Sequence, residues 1–307
     1  MAQRALTKAA SRSAGYSLIS YEGGFLHPVI SLNRTMVEAT KARVAAVSSA
    51  ALYGRGVFTT IAVYDSKPFL WSKHWQRLSA HAAKLDIDHT GCTEKSVGEA
   101  VNKLVAVNQV KDGRVRVTML ARSGRDFWKA KLPSTRKTDL LIMTGDSRHV
   151  SANGLSLAVS PYRVSTFSPL TGIKSLNYLD HVLSKEEARS RDFDEAVVLN
   201  ERGEIVSATT ANIFWAKSGT VHTPSLSTGA LAGITRECVI DIANKHFIPL
   251  VEGVYEMTDL VDADEIFLTS SGIGVAPVTT FDFRRYAIEP ESIVNIVRQA
   301  FTKLTHA

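Results

Sequence analysis

Twice along this chain, short segments rich in β-branched and aromatic residues give way to amphipathic helical ones. The two rounds meet at "DSRHVSANG", which has no apolar period. The first round opens with "YSLISYEGGFLHPVISL", turning at Gly23–Gly24, and the hairpin "YGRGVFTTIAVYDSKPFLW", turning at Asp65–Ser66. Helical spacing follows in "SKHWQRLSAHAAKLDI", with Ser72 as the expected N-cap, and in "EKSVGEAVNKLVAVNQV". "GRVRVTMLARSG" and "DLLIMTG" read as further strands, and 35–54 reads as an insertion or helix. The second round runs from "LSLAVSPYRVS" through a helix at about Leu176–Arg191 to a hairpin with turns at Arg202–Gly203 and Ser218–Gly219. It ends with the helix "GITRECVIDIANKHF", the strand "EIFLTSSGIGVAPVTTF" and a closing helix. This order predicts an α+β (mixed α/β) fold in two domains rather than a helix bundle. The expected divisions are a disordered basic tail at 1–16, a small N-terminal α/β domain at 17–146, a linker at 147–153 and a larger domain at 154–307.

The distribution of charge argues against one rival function, nucleic-acid binding. The chain carries +6, but Arg4, Lys8 and Arg12 supply three of those charges within the tail, and no basic stripe is interleaved with aromatics. A mild positive bias suits an enzyme with anionic ligands. No apolar run reaches bilayer length and the tail lacks a signal-peptide core, so neither membrane nor secretion is expected, and the expected location is cytoplasmic. Cys92 and Cys238 lie far apart without metal-ligand spacing, so no metal site is expected and a reducing compartment is.

The chemistry centres on "GIKSLNYLDHVLSKEEA", which sets Lys174 on a turn between apolar neighbours. A solvated lysine is the bland reading; a Schiff-base lysine is the alternative. Three anion-binding signals accompany it. In "LAGITRECV", Gly233 allows a tight turn, and Ile234 and Thr235 offer amides at a helix start. In "TSSGIGVAP", Ser270 and Ser271 precede two glycines and suit a phosphate nest. Arg77 in "HWQRL" is a candidate cationic partner. Each alone is also an ordinary cap, strand end or surface arginine. Together with a turn-borne lysine they match what pyridoxal 5'-phosphate requires.

From about Tyr53 onward, "YGRGVFTT", "HWQRL", "GIKSLNYLDHVLSKEEA", "FDEAVVLNERGEIV", "ANIFW", "TPSL", "LAGITR" and "VAPV" stand in one order and spacing. In this the sequence resembles the class IV aminotransferases, pyridoxal-phosphate enzymes of fold type IV. The resemblance implies a homodimer and a larger domain with a barrel-like core. It also implies that Lys174 forms the Schiff base and moves the proton. Arg77, Ile234, Thr235 and Ser271 are implied to hold the phosphate, with Asn212 supporting the cofactor strand. One position departs. The family usually reads V-x-E-x-x-x-x-N, with the Glu paired to the pyridine nitrogen; counting back from Asn212, Ser207 stands there. Glu204, three residues earlier on a strand, points to the other face.

"SATTAN" and "LAGITR" differ from the "EGxGEN" and "LPGxTR" usual in the branched-chain branch, whereas "FTT" and "KSLN" look closer to 4-amino-4-deoxychorismate lyase or D-amino-acid aminotransferase. A serine hydroxyl supports a neutral pyridine, a weaker electron sink, which elimination driven by aromatisation tolerates better than transamination. The leading reading is therefore a lyase of folate biosynthesis that releases pyruvate and leaves p-aminobenzoate. An aminotransferase of D-amino or branched-chain type is the alternative, and a non-catalytic relative is the third reading. The substrate is expected to be a small amino compound with a carboxylate. Arg122 and Arg125, bordering the polar lid-length stretch "RDFWKAKLPSTRKT", are candidate grips for it, as is Arg163, and Thr60 is a candidate pocket wall.

Overall fold

The computed structural model describes residues 19–21, 24–122, 137–148, 150 and 154–306. The expected tail, Arg125 and most of the lid-length stretch lie outside them.

An antiparallel sheet organises the first round. Its centre is Gly56–Tyr64, Gly113–Ala121 and Thr138–Asp146, paired in that order, because these long strands alternate apolar residues toward a helix layer. Helices Trp71–Lys84 and Glu94–Val107 cover that face, burying Ile61, Leu78, Leu104, Val117 and Ile142 together. The stretch 35–54 forms no long helix. Thr35–Glu38 pairs with Val29–Leu32, which joins the sheet on Thr138–Asp146, and Ser49–Tyr53 makes one short helix.

Ser72 is not the N-cap of the first long helix. Leu70 takes that place in a left-handed conformation (φ 53), and Ser72 Oγ instead donates to Glu94 at 2.5 Å. The chain makes its corner one step earlier than the capping rule anticipates, because Phe69 and Leu70 are drawn against the apolar cluster of the closing helix.

The second round builds a mixed nine-stranded sheet running Ile205–Ala208, Glu195–Asn200, Leu155–Val164, Gly274–Phe281, Glu265–Ser270, Asn212–Lys217, Thr220–Pro224 and Leu250–Gly253, with Arg284–Arg285 at the side. The parallel pair Leu155–Val164/Glu195–Asn200 is bridged by helix Leu179–Ser190, and Thr220–Pro224/Leu250–Gly253 by helix Ile234–Lys245. The helix after Lys174 starts at Leu179 rather than Leu176. Residues 174–176 are spent elsewhere: Phe58 N donates to Lys174 O (3.0 Å) and Leu176 N to Gly56 O (2.9 Å). This bridge ties the second round to the edge of the first sheet. It requires glycine at 56, where a Cβ would lie 2.5 Å from Leu176 Cδ1 and 2.7 Å from the Met119 carbonyl.

Candidate active site

Between the two sheets opens a cavity of about 710 Å³, within the range of small-molecule sites. Lys174 lines it, with its backbone pinned on both sides. Its carbonyl accepts from Phe58, and its N–H donates to His81 Nδ1 at 3.0 Å. The amine sits 4.6 Å from the Phe58 ring centroid and 4.8 Å from that of Tyr178. Apolar enclosure, reinforced by Arg77 and Arg116, lowers its pKa to about 7. A large fraction of this amine is therefore neutral at physiological pH, whereas an ordinary lysine is almost wholly charged.

At one wall the anion-binding signals converge. Helix Ile234–Lys245 begins after Gly233 with no side-chain cap, so its first amides face the cavity without an intrahelical partner. Arg77 Nη1 donates to Ala232 O (3.0 Å), and Nη2 donates to Thr59 Oγ1 (3.1 Å), which places its guanidinium beside that helix start. Burial lowers its pKa to about 10, so it stays cationic, and among the described residues no carboxylate pairs with it. Thr59 Oγ1 lies 2.7 Å from His74 Nδ1, and His74 Nε2 reaches Ser271 Oγ at 3.5 Å, a long contact. Burial, then Arg77 and Lys174, lowers the His74 pKa to about 3. A neutral His74 thus links the arginine wall to the serine loop. Ser270 Oγ accepts from Gly272 N (3.3 Å), closing that loop.

Asn212 acts on the loop before the helix. Its Nδ2 donates to Leu231 O at 2.9 Å, and its Oδ1 occupies the space beside Gly233, where a Cβ would come within 2.0 Å. A side chain at 233 would therefore displace the Asn212 amide. Ser207 also lines the cavity at 8% exposure, while Glu204 turns away to Asn200 (2.6 Å) and Arg202 (2.7 Å), as strand alternation demands. The nearest buried carboxylate on this side, Glu195, is saturated: it accepts from Lys185 (2.7 Å), Arg148 (3.1 Å), Thr210 (2.5 Å) and Thr209.

The candidate substrate residues divide. Thr60 faces the cavity, alternating with Thr59 on the other face of its strand. Arg163 lines it too, exposed, with Nη1 donating to Ser160 O at 2.8 Å. Arg122 is not brought there; the strand ends at Ala121, and Arg122 pairs with the buried Asp139 at 3.5 Å. A carboxylate at 5% exposure needs such a partner. Arg125 lies outside the described residues.

Three lining residues had no sequence signal of their own. Arg116 lies 3.6 Å over the Phe58 ring, and Nε donates to Thr118 Oγ1 at 3.4 Å. Arg114 stands two residues earlier on the same strand face. Tyr178 packs edge-on to Phe58 at 5.4 Å, donates to Thr209 O at 3.2 Å, and has its pKa raised to about 12 by burial and by Glu195. It is a neutral phenol at any physiological pH.

A family model for "Amino-transferase class IV" matches residues 56–281. The chain belongs to this family. It is 32% identical over 256 residues to a putative branched-chain-amino-acid aminotransferase of Methanocaldococcus jannaschii, covering 83% of this chain and 88% of that one. It is 29% identical over 256 residues to an aminodeoxychorismate lyase of Bacillus subtilis, covering 82% and 86%. The fold superposes on the Escherichia coli branched-chain amino acid aminotransferase with a TM-score of 0.81, at 27% identity over 91% of this chain and 95% of that one. Similarity thus reaches both branches despite the altered "SATTAN" motif. The chain is a pyridoxal-phosphate-dependent transaminase or lyase with the family's mixed α/β fold.

The donor set fits that cofactor. An arginine without a carboxylate, an uncapped helix start and two serines suit a phosphate, and a largely neutral, enclosed lysine suits an aldehyde. Among the described residues no helix is long and apolar enough to cross a membrane, and no cluster suits a metal ion.

Proposed function

We propose that this enzyme is a lyase of the 4-amino-4-deoxychorismate type, which releases pyruvate from an amino-cyclohexadiene substrate and leaves p-aminobenzoate. The observation that carries the lyase reading is Ser207 in the cavity wall, while the buried Glu195 of the neighbouring strand is already engaged by four donors. The carboxylates among the described lining residues, Asp180 and Glu186, both stand on helix Leu179–Ser190 rather than on the strand of Ser207.

When bound, pyridoxal phosphate supplies an aldehyde that captures amines and a ring that withdraws electrons from the attached carbon. Arg77, the amides of Ile234 and Thr235, and the hydroxyls of Ser270 and Ser271 hold its phosphate, and Asn212 fixes the loop that aims those amides. Ser207, in the cavity wall, would offer the ring nitrogen a hydroxyl rather than a carboxylate. Tyr178, its hydroxyl engaged with Thr209 O, would wall the ring site beside Lys174. Lys174, whose amine is largely neutral, would be the group that holds the aldehyde, and its Nζ would move the proton taken from the substrate ring. Arg116 positions a substrate carboxylate next to that amine, and Phe58 and Tyr178 keep water from it. Aromatisation of the product supplies driving force that a transaminase lacks.

An aminotransferase is the second reading, favoured by the Methanocaldococcus relative and the Escherichia coli structure. Either reading carries a homodimer, for which the exposed apolar side chains of Leu52, Tyr53, Leu179 and Val182 are suited. The deciding experiment offers the purified enzyme 4-amino-4-deoxychorismate and, separately, L- and D-amino acids with 2-oxo acids. Equimolar pyruvate and p-aminobenzoate support the lyase; turnover of the second panel alone refutes it.

A further inference from the structure

Lys174 stands at the centre of a three-residue turn, in which Ser175 N donates to Ile173 O at 3.0 Å. Beyond it the chain is held by backbone contacts alone: Phe58 N donates to Lys174 O, Leu176 N donates to Gly56 O, and Val57 bridges Ser175. None of these bonds uses the N–H of Lys174 itself. Among the described residues that donor has one acceptor, His81 Nδ1 at 3.0 Å. A backbone N–H left unpaired in an apolar wall costs as much as a lost hydrogen bond, so the turn depends on that ring nitrogen.

His81 is suited to accept. It is buried on helix Trp71–Lys84. A backbone N–H can only donate, so the facing Nδ1 carries no proton and the neutral ring holds its proton on Nε2. Burial, then Arg77, Lys84 and Lys174, lowers the His81 pKa to about 4, which keeps that lone pair available at neutral pH. The same helix carries Arg77 four residues earlier and His74 seven residues earlier, along one side. His74 Nδ1 lies 2.7 Å from Thr59 Oγ1, which accepts from Arg77 at 3.1 Å. One rigid element thus fixes the phosphate arginine and, about 6 Å along its axis, the backbone of the lysine.

We infer that His81 is a positioning residue for Lys174: its Nδ1 holds the lysine turn at a set distance from the Arg77 wall, so that the amine meets an aldehyde whose phosphate is seated there. The inference rests on the proposed cofactor site and deepens it with a residue outside the described cavity lining. Without the acceptor, the Ile173–Lys174 peptide loses its anchor, and the amine must be ordered when the aldehyde arrives, at a cost in affinity. A ligand that engages only the phosphate wall is spared that cost.

The test compares His81→Leu with His81→Asn. Asparagine sets an amide oxygen close to where the ring holds Nδ1, whereas leucine has similar size and no acceptor. Each protein is titrated with pyridoxal phosphate and with pyridoxamine phosphate, which shares the ring and phosphate but has no aldehyde for a lysine to capture. His81→Leu is expected to raise the Kd for pyridoxal phosphate by about two- to tenfold, the worth of one hydrogen bond, and to leave that for pyridoxamine phosphate unchanged. His81→Asn is expected to restore most of the loss. Amide hydrogen exchange at Lys174 in the cofactor-free protein is expected to quicken in His81→Leu and to stay slow in His81→Asn. Equal losses for the two ligands, matching behaviour of the two variants, or an unchanged exchange rate in His81→Leu overturns the inference. Nitrogen NMR of His81 in the unaltered protein needs no variant to fold: an unprotonated Nδ1 at neutral pH supports the inference, and a protonated one overturns it. If the unaltered protein binds neither ligand, the cofactor reading fails instead, and the exchange and NMR arms still decide whether His81 holds the turn.

Discussion

Replacing Arg116 by methionine tests how Lys174 is kept neutral. The Lys174 amine and the Arg116 guanidinium carbon lie 4.6 and 3.6 Å from one ring centroid, that of Phe58, so they are at most about 8 Å apart. At an effective dielectric of about 20, like charges at that distance repel by about 2 kcal/mol. One pKa unit corresponds to about 1.4 kcal/mol, and water in the open cavity screens part of the repulsion. Removing the like charge favours the protonated amine, so the lysine pKa rises by about one unit from its value of about 7. Burial and Arg77 still hold it far below an ordinary lysine. The assay is competitive acetylation of the cofactor-free protein from acid to strongly alkaline pH, with the modified peptide containing residue 174 quantified by mass spectrometry. The reasoning expects a midpoint near neutrality that moves upward in Arg116→Met. A midpoint in the range of surface lysines, or one that ignores the substitution, refutes it.

Three further outcomes follow from the same geometry. Arg77→Gln removes charge-assisted hydrogen bonds each worth about 1.5–3 kcal/mol, so the Kd for pyridoxal phosphate in a spectral titration rises by at least about tenfold. Gly233→Ala sets a methyl group against Asn212 Oδ1, displacing the clamp on the helix start, and weakens cofactor binding in the same titration while the far-UV signal is unchanged. Glu195→Gln strands Arg148 and Lys185 without their carboxylate and costs about 3–5 kcal/mol in denaturant unfolding.

Much of this site was legible in the sequence, for local reasons. A lysine between apolar neighbours on a turn, a glycine before a helix start and a serine pair before two glycines each state their chemistry within a few residues. Arg77 was legible only in company, because a helix surface shows arginine everywhere. Arg114 and Arg116 were hidden by the strand period itself. Their alternation in "GRVRVT" looks like a solvated face, and the sheet that covers it comes from residues far along the chain. Tyr178 was hidden in a similar way, since a tyrosine opening a helix reads as packing. Arg122 shows the reverse failure. It shares the parity of Arg114 and Arg116, but the strand ends one residue earlier and Asp139 takes it. Ser72 lost its cap to Leu70, whose left-handed backbone no local preference anticipates.

The most direct test of a Schiff-base lysine is reductive trapping. The holoenzyme is treated with borohydride, digested and sequenced by mass spectrometry. The account predicts loss of the visible band and a phosphopyridoxyl mass on the peptide containing Lys174, at that residue. The label on any other lysine, or a Lys174→Ala protein that keeps the band, contradicts it.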